Sequence, residues 1–164
     1  MESQIPEDLL MVKIDDRSYS PYLAKATVFD GGSGLVSTTE DYLKFAQMLL
    51  NGGKLGDERI LSRKSVELLS SNHLRKEVLN RTGSDDDYVT EGIGFGITVG
   101  VITDTGLAGQ HGSNGMYFWG GAASTIFWID PKEELVAVAM TQVLANTWPL
   151  RETFSALVYQ SIND

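Results

Sequence analysis

The segment Tyr117–Thr125 reads YFWGGAAST, and Ile126–Pro131 follows it directly as IFWIDP. Aromatic and β-branched residues favour strands, so the two stretches predict neighbouring strands with a Gly120-Gly121 step between them. Glycine in a strand pattern lets another group approach the backbone closely. From spacing alone, Trp119 is typical of a core aromatic residue beside a β-bulge. This segment therefore predicts two aromatic-rich strand segments whose backbone can be approached closely at Gly120 and Gly121.

The second half of the chain predicts an antiparallel β-meander packed by a C-terminal helix. Residues 93–101 alternate glycine with large apolar side chains, which predicts one strand with a bare face that the last helix covers closely. Residues 124–130 and 135–141 are β-rich runs, and residues 130–134 between them predict a hairpin turn. Pro149 is expected in the first turn of the last helix. The apolar stripe of that helix comprises Leu150, Phe154, Leu157, Val158 and Ile162.

The first half predicts short helices. Residues 37–40 match a capping box with Ser37 as the cap, and Gly52-Gly53 ends the helix that follows. Ser62 begins a second, shorter helix, and residues 80–90 form a polar loop. Tyr42, Phe45, Ala46, Leu49 and Leu50 recur at helical spacing as the buried face of the first helix.

The pattern as a whole predicts an α+β fold. Residues 1–164 form one domain in this interpretation. It has a connecting segment (1–30), a helical part (31–92) and the meander with its helix (93–164).

Composition limits the possible functions. A net charge of −9 argues against a nucleic-acid groove, because phosphate binding needs clustered Lys and Arg. The absence of cysteine excludes disulfides, thiol catalysis and Cys-ligated metals, and the two histidines, His73 and His111, lie far apart. No apolar run is long enough for a membrane span, and residues 1–4 do not resemble a signal peptide. We expect no metal, no cofactor and no membrane span, and the compartment stays open.

Four segments carry a resemblance to a known family. Residues 29–42, 49–53, 94–96 and 119–123 occur in the order seen in class C β-lactamases and family VIII carboxylesterases. The chain therefore resembles a serine β-lactamase-like hydrolase, which implies part of the β-lactamase and penicillin-binding-protein fold. In that family, a Ser-x-x-Lys pair supplies the nucleophile and its base, and a Tyr-x-Asn or Ser-x-Asn supplies a second proton-transfer group.

Neither of these two motifs is found in a usable place. No lysine of the chain follows a serine at an offset of three, and no tyrosine precedes an asparagine at an offset of two. Ser70-Ser71-Asn72 matches Ser-x-Asn in letters, but it falls late in a predicted helix. The resemblance therefore implies the C-terminal portion of a serine hydrolase, and whether the chain alone is an enzyme stays open.

The resemblance assigns roles to the Trp-Gly-Gly segment. Trp119, Gly120 and Gly121 would line the substrate, and the backbone N–H of Ala122 would be one oxyanion-hole donor. The second donor would be the N–H of the nucleophile itself. Trp119 stands where β-lactamases have a lysine, which favours esters over lactams because the cation that grips a carboxylate is gone. Ser124 departs from the family pattern, and we expect an ordinary strand residue there.

A different serine is the main alternative. Ser113 could act as the nucleophile and His111 as its base, with Asp104 orienting the imidazole. A glycine-rich turn is the more frequent meaning of residues 111–115, because Gly, Asn and Ser all serve turns. Residues 32–34 are not a nucleophile elbow, since Leu35 stands where the second glycine is needed; we expect a tight turn there.

Three hypotheses follow from the sequence. The chain is part of a serine hydrolase acting on a small ester or lactam and silent alone, or a small self-sufficient esterase with an unorthodox serine, or a non-catalytic binding module. In the family, strands from the N-terminal portion complete the sheet. We therefore expect an open sheet edge that binds that missing N-terminal segment or a second copy of the chain.

Overall fold

The computed structural model describes residues 12–25, 27–29, 31–32, 34–75, 91–144, 146 and 148–163. Asp30, Ser33 and the predicted loop at 80–90 lie outside these residues, so the turn expected around Ser33 is not described. The chain divides into two compact units, Met1–Ser37 and Thr38–Asp164. The single-domain assignment stays a prediction.

The first unit contains one short regular element among its described residues. A 3₁₀ helix spans Pro21–Leu23, with proline at its start. Asp16 organises the preceding turn, because its carboxylate accepts hydrogen bonds from the N–H and the hydroxyl of Ser18. This local bonding is typical of an Asx turn.

The second unit begins with helix α1, Thr39–Leu50. The predicted cap at Ser37 is wrong by one residue: Thr38 is the N-cap, and its hydroxyl accepts the Asp41 N–H at 3.1 Å. Threonine caps as serine does, and a cap at 38 places Asp41 in the first turn, where a carboxylate is favourable. The helix ends as predicted, because Gly52 and Gly53 take left-handed backbone.

The buried face of α1 differs slightly from the prediction. Ala46 and Leu49 are buried as expected, and Met48 joins them. Phe45 is 44% exposed and instead packs edge-on against the ring of Tyr42, 5.6 Å between centroids. Helical spacing locates the buried stripe only to within one residue on either side.

A small hairpin and a second helix follow α1. Strand β1 (Lys54–Leu55) pairs antiparallel with β2 (Glu58–Arg59). Helix α2, Arg63–Leu69, begins where predicted, because the Ser62 hydroxyl accepts the Ser65 N–H at 3.0 Å.

A five-stranded antiparallel sheet, in the order β3-β4-β5-β6-β7, forms the rest of the unit. This confirms the α+β fold and the meander. The prediction of one strand over 93–101 is wrong, because the chain reverses at 96–99, where Thr98 has φ 70° and the Gly96 N–H bonds to the Val99 carbonyl at 2.8 Å. The bounds are β3 Ile93–Phe95, β4 Gly100–Ile102, β5 Tyr117–Gly120, β6 Ile126–Asp130 and β7 Leu135–Ala139, with a one-turn helix α3, Thr105–Ala108, between β4 and β5.

The glycine-lined face of the β3–β4 hairpin is covered closely, but by the end of α2 and not by the C-terminal helix as predicted. A Cβ at Gly96 would lie 2.1 Å from the carbonyl oxygen of Leu69, at the end of α2. The Ile97 N–H donates to the same oxygen at 2.9 Å. Glycine is therefore needed where the end of α2 meets the sheet.

Helices lie on both faces of the sheet. The core on the α1 face includes Tyr117, Phe127 and Ile129. The core on the other face contains Trp128 and Ile93, and residues of helix α4, Leu150–Gln160, pack against it. The final helix thus packs on the sheet as predicted, through Phe154 and Val158 together with the unpredicted Tyr159, whereas Leu157 (60% exposed) and Ile162 are exposed.

Candidate active site

The predicted site lies at the end of the β5–β6 hairpin. Trp119 pairs with Phe127 and Gly120 with Ile126, and residues 121–125 form the turn. The Gly121 N–H donates to the Thr125 carbonyl at 3.0 Å, which closes this turn.

Ser124 is part of this turn and not of a strand, which corrects the expectation. Its φ of 62° is left-handed, and its hydroxyl donates to the Val143 carbonyl at 2.9 Å. Ser124 is buried. Its side chain therefore fixes the turn to the segment that follows β7, and its hydroxyl is occupied.

A cavity of about 140 Å³ opens beside this turn. Three residues that the resemblance assigned to the site lie in its wall: Trp119, Gly120 and Gly121. The space is small compared with the several hundred cubic ångströms of a site for a drug-sized ligand. The remaining wall is mostly apolar and comprises Tyr42, Thr125, Ile126, Phe127, Val138 and Met140.

Aromatic contacts hold the shape of this wall. The ring of Tyr42 lies 5.0 Å from that of Phe127, and Trp119 meets Phe95 edge-on at 5.3 Å. Burial raises the pKa of Tyr42 above its ordinary value, so its hydroxyl stays protonated at neutral pH.

Among the described residues, no group of His, Asp or Glu in this unit is arranged to hold a metal ion.

Ala122 lies at the tip of the hairpin and is exposed. Within the part of the chain that the structure describes, its backbone N–H makes no hydrogen bond, and the same holds for Ala123 and Thr125, whereas the N–H groups of Gly121 and Ser124 donate within the turn. An exposed backbone N–H without an acceptor in the chain is available to an external acceptor. This is the atom that the resemblance named as an oxyanion donor.

The opposite face of the Gly-Gly step is occupied by an arginine that the sequence did not single out. Arg151 Nη2 donates to the Gly121 carbonyl at 2.7 Å and to the Thr125 carbonyl at 3.3 Å. A Cβ at Gly120 would lie 2.8 Å from Arg151 Cζ. Gly120 thus makes room for the guanidinium. The only signal in the sequence was a basic residue in the first turn of a helix, where the dipole does not favour it.

The alternative nucleophile and its proposed partners each contact other groups. Ser113 is 6% exposed, and its hydroxyl donates to a Glu133 carboxylate oxygen at 3.2 Å. The His111 ring instead stacks on Tyr159, 6.2 Å between centroids. Asp104 caps α3 by accepting the Leu107 N–H. The described residues include no hydrogen bond between Ser113 and His111.

A buried polar cluster lies behind Ser113. Asp130 is 0% exposed, and one of its oxygens accepts both the Ser113 N–H and the Tyr159 hydroxyl at 2.9 Å. Its other oxygen accepts the Lys132 N–H at 3.2 Å. Burial, and then the bond to Asp130, raise the pKa of Tyr159. The sequence predicted Asp130 only as a turn residue.

Ser70-Ser71-Asn72 has a structural use. The two serine hydroxyls donate to carbonyls within α2. Asn72 Oδ1 accepts the N–H of Phe95 at 3.1 Å, so the side chain fastens the end of α2 to β3. These contacts account for the segment without a proton-transfer role.

The family model described as Beta-lactamase matches residues 6–159. The chain therefore belongs to the beta-lactamase family, whose members include hydrolases and acyltransferases. No helix among the described residues is both long and apolar enough to cross a membrane.

Similar proteins are about three times longer than the matched region. The chain is 32% identical over 125 residues to the uncharacterized protein MT1414 of Mycobacterium tuberculosis (strain CDC 1551) and to protein Rv1367c of strain H37Rv, covering 74% of this chain and 31% of each relative. Its fold matches EstCE1, a hydrolase with promiscuous acyltransferase activity, with a TM-score of 0.63 and 26% identity over 82% of this chain and 32% of that one. The unliganded simvastatin synthase LovD of Aspergillus terreus matches with a TM-score of 0.59 and 19% identity, over 75% of this chain and 33% of that one.

Proposed function

We propose that this chain supplies one wall and one oxyanion donor of an acyl-transfer site that hydrolyses small carboxylic esters through an acyl-enzyme. The proposal treats the chain as the C-terminal part of a serine hydrolase of the β-lactamase and family VIII esterase type. The observation that carries it is the Ala122 N–H, which has no acceptor among the described residues and lies at the turn whose neighbouring residues line the cavity.

The chemistry follows from this placement. A carbonyl carbon attacked by a serine becomes tetrahedral, and its oxygen gains negative charge. A fixed N–H aimed at that oxygen stabilises the transition state by about 2.7–4 kcal/mol, because it needs no reorganisation when the charge forms. The acyl chain of the ester would lie in the apolar cavity beside Trp119.

An ester is favoured over a β-lactam by the charges at the cavity. The residues that line it carry no cation to hold a substrate carboxylate. Arg151 is the charged group beside the Gly-Gly step, and its guanidinium is engaged by two backbone carbonyls.

We further propose that the chain alone does not turn over. Ser113 and Ser124 are both buried with their hydroxyls donated to other groups, and no Ser-x-x-Lys occurs in the sequence. A serine acts as a nucleophile only when a base accepts its proton. The carboxylate of Glu133 could accept a proton from Ser113, so an esterase based on Ser113 stays the alternative, and a non-catalytic binding module is the other.

The test mixes the chain with a segment that carries the nucleophile. The purified chain is assayed with p-nitrophenyl butyrate alone and together with the part of EstCE1 that precedes the matched region. We expect no turnover and no fluorophosphonate label on the chain alone, and ester hydrolysis in the mixture. Turnover by the chain alone that disappears in Ser113→Ala would establish the self-sufficient alternative instead.

The donor is tested by removing one N–H. Ala122→Pro removes the backbone N–H and should lower kcat of the mixture by about 10²–10³-fold. Ala122→Gly keeps the N–H and is the matched control. If the proline variant binds the partner segment and keeps the wild-type kcat, Ala122 is not the donor.

A further inference from the structure

Arg151 reaches from the start of α4 to the tip of the β5–β6 hairpin. Its guanidinium bridges the two carbonyls that face each other across the turn, those of Gly121 and Thr125. The side chain is half-buried, which limits the competition from water. A hydrogen bond from a charged donor is shorter and about twice as strong as a neutral one, and the 2.7 Å bond to Gly121 is in that range.

The backbone of the hairpin is shaped to receive this guanidinium. A Cβ at Gly120 would lie within 2.9 Å of both Cζ and Nη2 of Arg151, so any other residue at 120 displaces the group. A Cβ at Gly121 would lie 2.4 Å from the Thr125 hydroxyl, so a residue larger than glycine at 121 would disturb the closed turn. The Gly-Gly step thus serves the arginine on one face while Trp119 lines the cavity on the other.

The carbonyl of Gly121 and the N–H of Ala122 belong to the same peptide group. A cation that draws electron density toward the carbonyl oxygen increases the double-bond character of C–N and leaves the N–H more positive. We propose that Arg151 is a positioning residue that polarises this peptide group and fixes its direction, so that the Ala122 N–H becomes a stronger oxyanion donor. This inference rests on the proposed function of Ala122.

Fastening α4 to the sheet does not by itself account for the arrangement. Phe154 and Val158 of α4 pack on the core around Trp128, with Phe154 and Trp128 meeting edge-on at 5.2 Å. The helix is therefore held without Arg151. Both carbonyls bond to the single nitrogen Nη2, and the planar guanidinium lies over Gly120. Lysine would keep the charge on a flexible stem but not the planar group that Gly120 accommodates, so Arg151→Lys should retain only part of the effect.

The first test is spectroscopic and uses the chain alone. In Arg151→Gln, the carbonyl carbon of Gly121 and the amide proton of Ala122 should both shift upfield, because the polarising bond is lost. Arg151→Lys should give intermediate shifts. Arg63→Gln is the matched control, since it removes an exposed arginine paired with Glu67 on α2 and should leave both signals unchanged.

The second test is kinetic and uses the mixture with the nucleophile-bearing segment. An oxyanion donor contributes about 10²–10³-fold to kcat. If polarisation by Arg151 supplies about 10–30% of the corresponding free energy, Arg151→Gln should lower kcat roughly two- to eightfold. KM should stay within about twofold, because the effect belongs to the transition state. Arg151→Lys should recover part of kcat.

The outcomes separate the two proposals. Unchanged shifts, or an unchanged kcat in a mixture whose wild type is active, overturn the role of Arg151 alone. A wild-type mixture without turnover overturns the proposed function, and with it the catalytic role assigned to Arg151. Shifts that move together with a lower kcat and an unchanged KM support the inference.

Discussion

Replacing Asp130 by asparagine should destabilise the protein substantially. Asp130 is 0% exposed, and its carboxylate accepts the Ser113 N–H, the Tyr159 hydroxyl and the N–H groups of Lys132 and Glu133. It therefore joins β6 to helix α4 and to the turn before β5. Asparagine has the same shape but offers one oxygen and one NH₂ group.

The magnitude follows from counting donors. In its better orientation, the asparagine oxygen keeps Ser113 and Tyr159, and the NH₂ group faces the N–H groups of Lys132 and Glu133, which both lose their acceptor. These two part-buried donors lose bonds worth about 1 kcal/mol each, and the two retained bonds lose their charge assistance. We expect a loss of about 2–4 kcal/mol. For a chain of this size that lowers Tm by roughly 4–16 °C.

Urea unfolding followed by circular dichroism measures the change at constant m-value. Asp57→Asn, at an exposed position in the β1–β2 turn, is the control and should change stability by less than about 0.5 kcal/mol. Tyr159→Phe removes one of the donors, so its effect should be non-additive with that of Asp130→Asn. A loss at residue 130 no larger than the control, or strict additivity, would refute the reasoning that the cluster acts as a unit.

Three further expectations concern stability and association. Burial raises the pKa of Tyr117 to about 12 and also raises the pKa of Tyr159. The stability that the two protonated side chains add is therefore complete below about pH 10 and is lost as the pH rises through their folded-state pKa values. The urea midpoint should fall above about pH 10, and fall less in Tyr159→Phe; a flat profile would contradict this. Gly53 has φ 93°, and a Cβ there would lie 2.2 Å from the Leu61 carbonyl oxygen, whereas Gly56 has φ 57° and open space around it. Calorimetry should therefore show that Gly53→Ala lowers the free energy of unfolding by at least twice the roughly 1 kcal/mol of Gly56→Ala. Equal losses would mean that the backbone adjusts. Strand β7 has no strand on its outer edge among the described residues. Sedimentation velocity should therefore show self-association that rises with protein concentration and that Ala139→Lys suppresses. A monomer at all concentrations would contradict this expectation.

Local signals in the sequence were enough to predict several elements. The end of α1 at Gly52-Gly53, the cap of α2 at Ser62 and the β6–β7 hairpin all follow from residues within a few positions of one another. Each depends on backbone conformations or on short-range hydrogen bonds that glycine, serine and proline control. These features are confirmed because nothing distant is needed to form them.

The prediction of one strand over residues 93–101 was wrong because the reversal there depends on a distant contact. Alternating glycine and apolar residues satisfies a strand pattern, but it equally permits the tight reversal that the structure contains. What decides between them is the end of α2, whose Leu69 carbonyl accepts the Ile97 N–H and touches the position of a Gly96 side chain. Such a contact joins residues almost thirty positions apart and leaves no periodic trace.

The site shows the same division. The resemblance brought Trp119, Gly120 and Gly121 to attention, and the structure places all three at one cavity. Arg151 and Asp130 were missed, because their partners lie 30 and 17 positions away, at Gly121 and Ser113. A polar residue whose partner is distant looks like a solvated residue until the fold is known.

The hairpin that carries Ala122 is held from both faces of the sheet. Successive strand residues point to opposite faces, so Trp119 turns to the α1 side, where Tyr42 completes the cavity, and Gly120 turns to the α4 side, where Arg151 lies. Arg151 bonds to the turn directly, whereas Tyr42 forms part of the cavity wall beside it. If the Ala122 N–H is the proposed donor, we expect Tyr42→Ala to change the shape of the cavity and Arg151→Gln to change the donor, so kinetics of the mixture should show a raised KM in the first variant and a lowered kcat in the second.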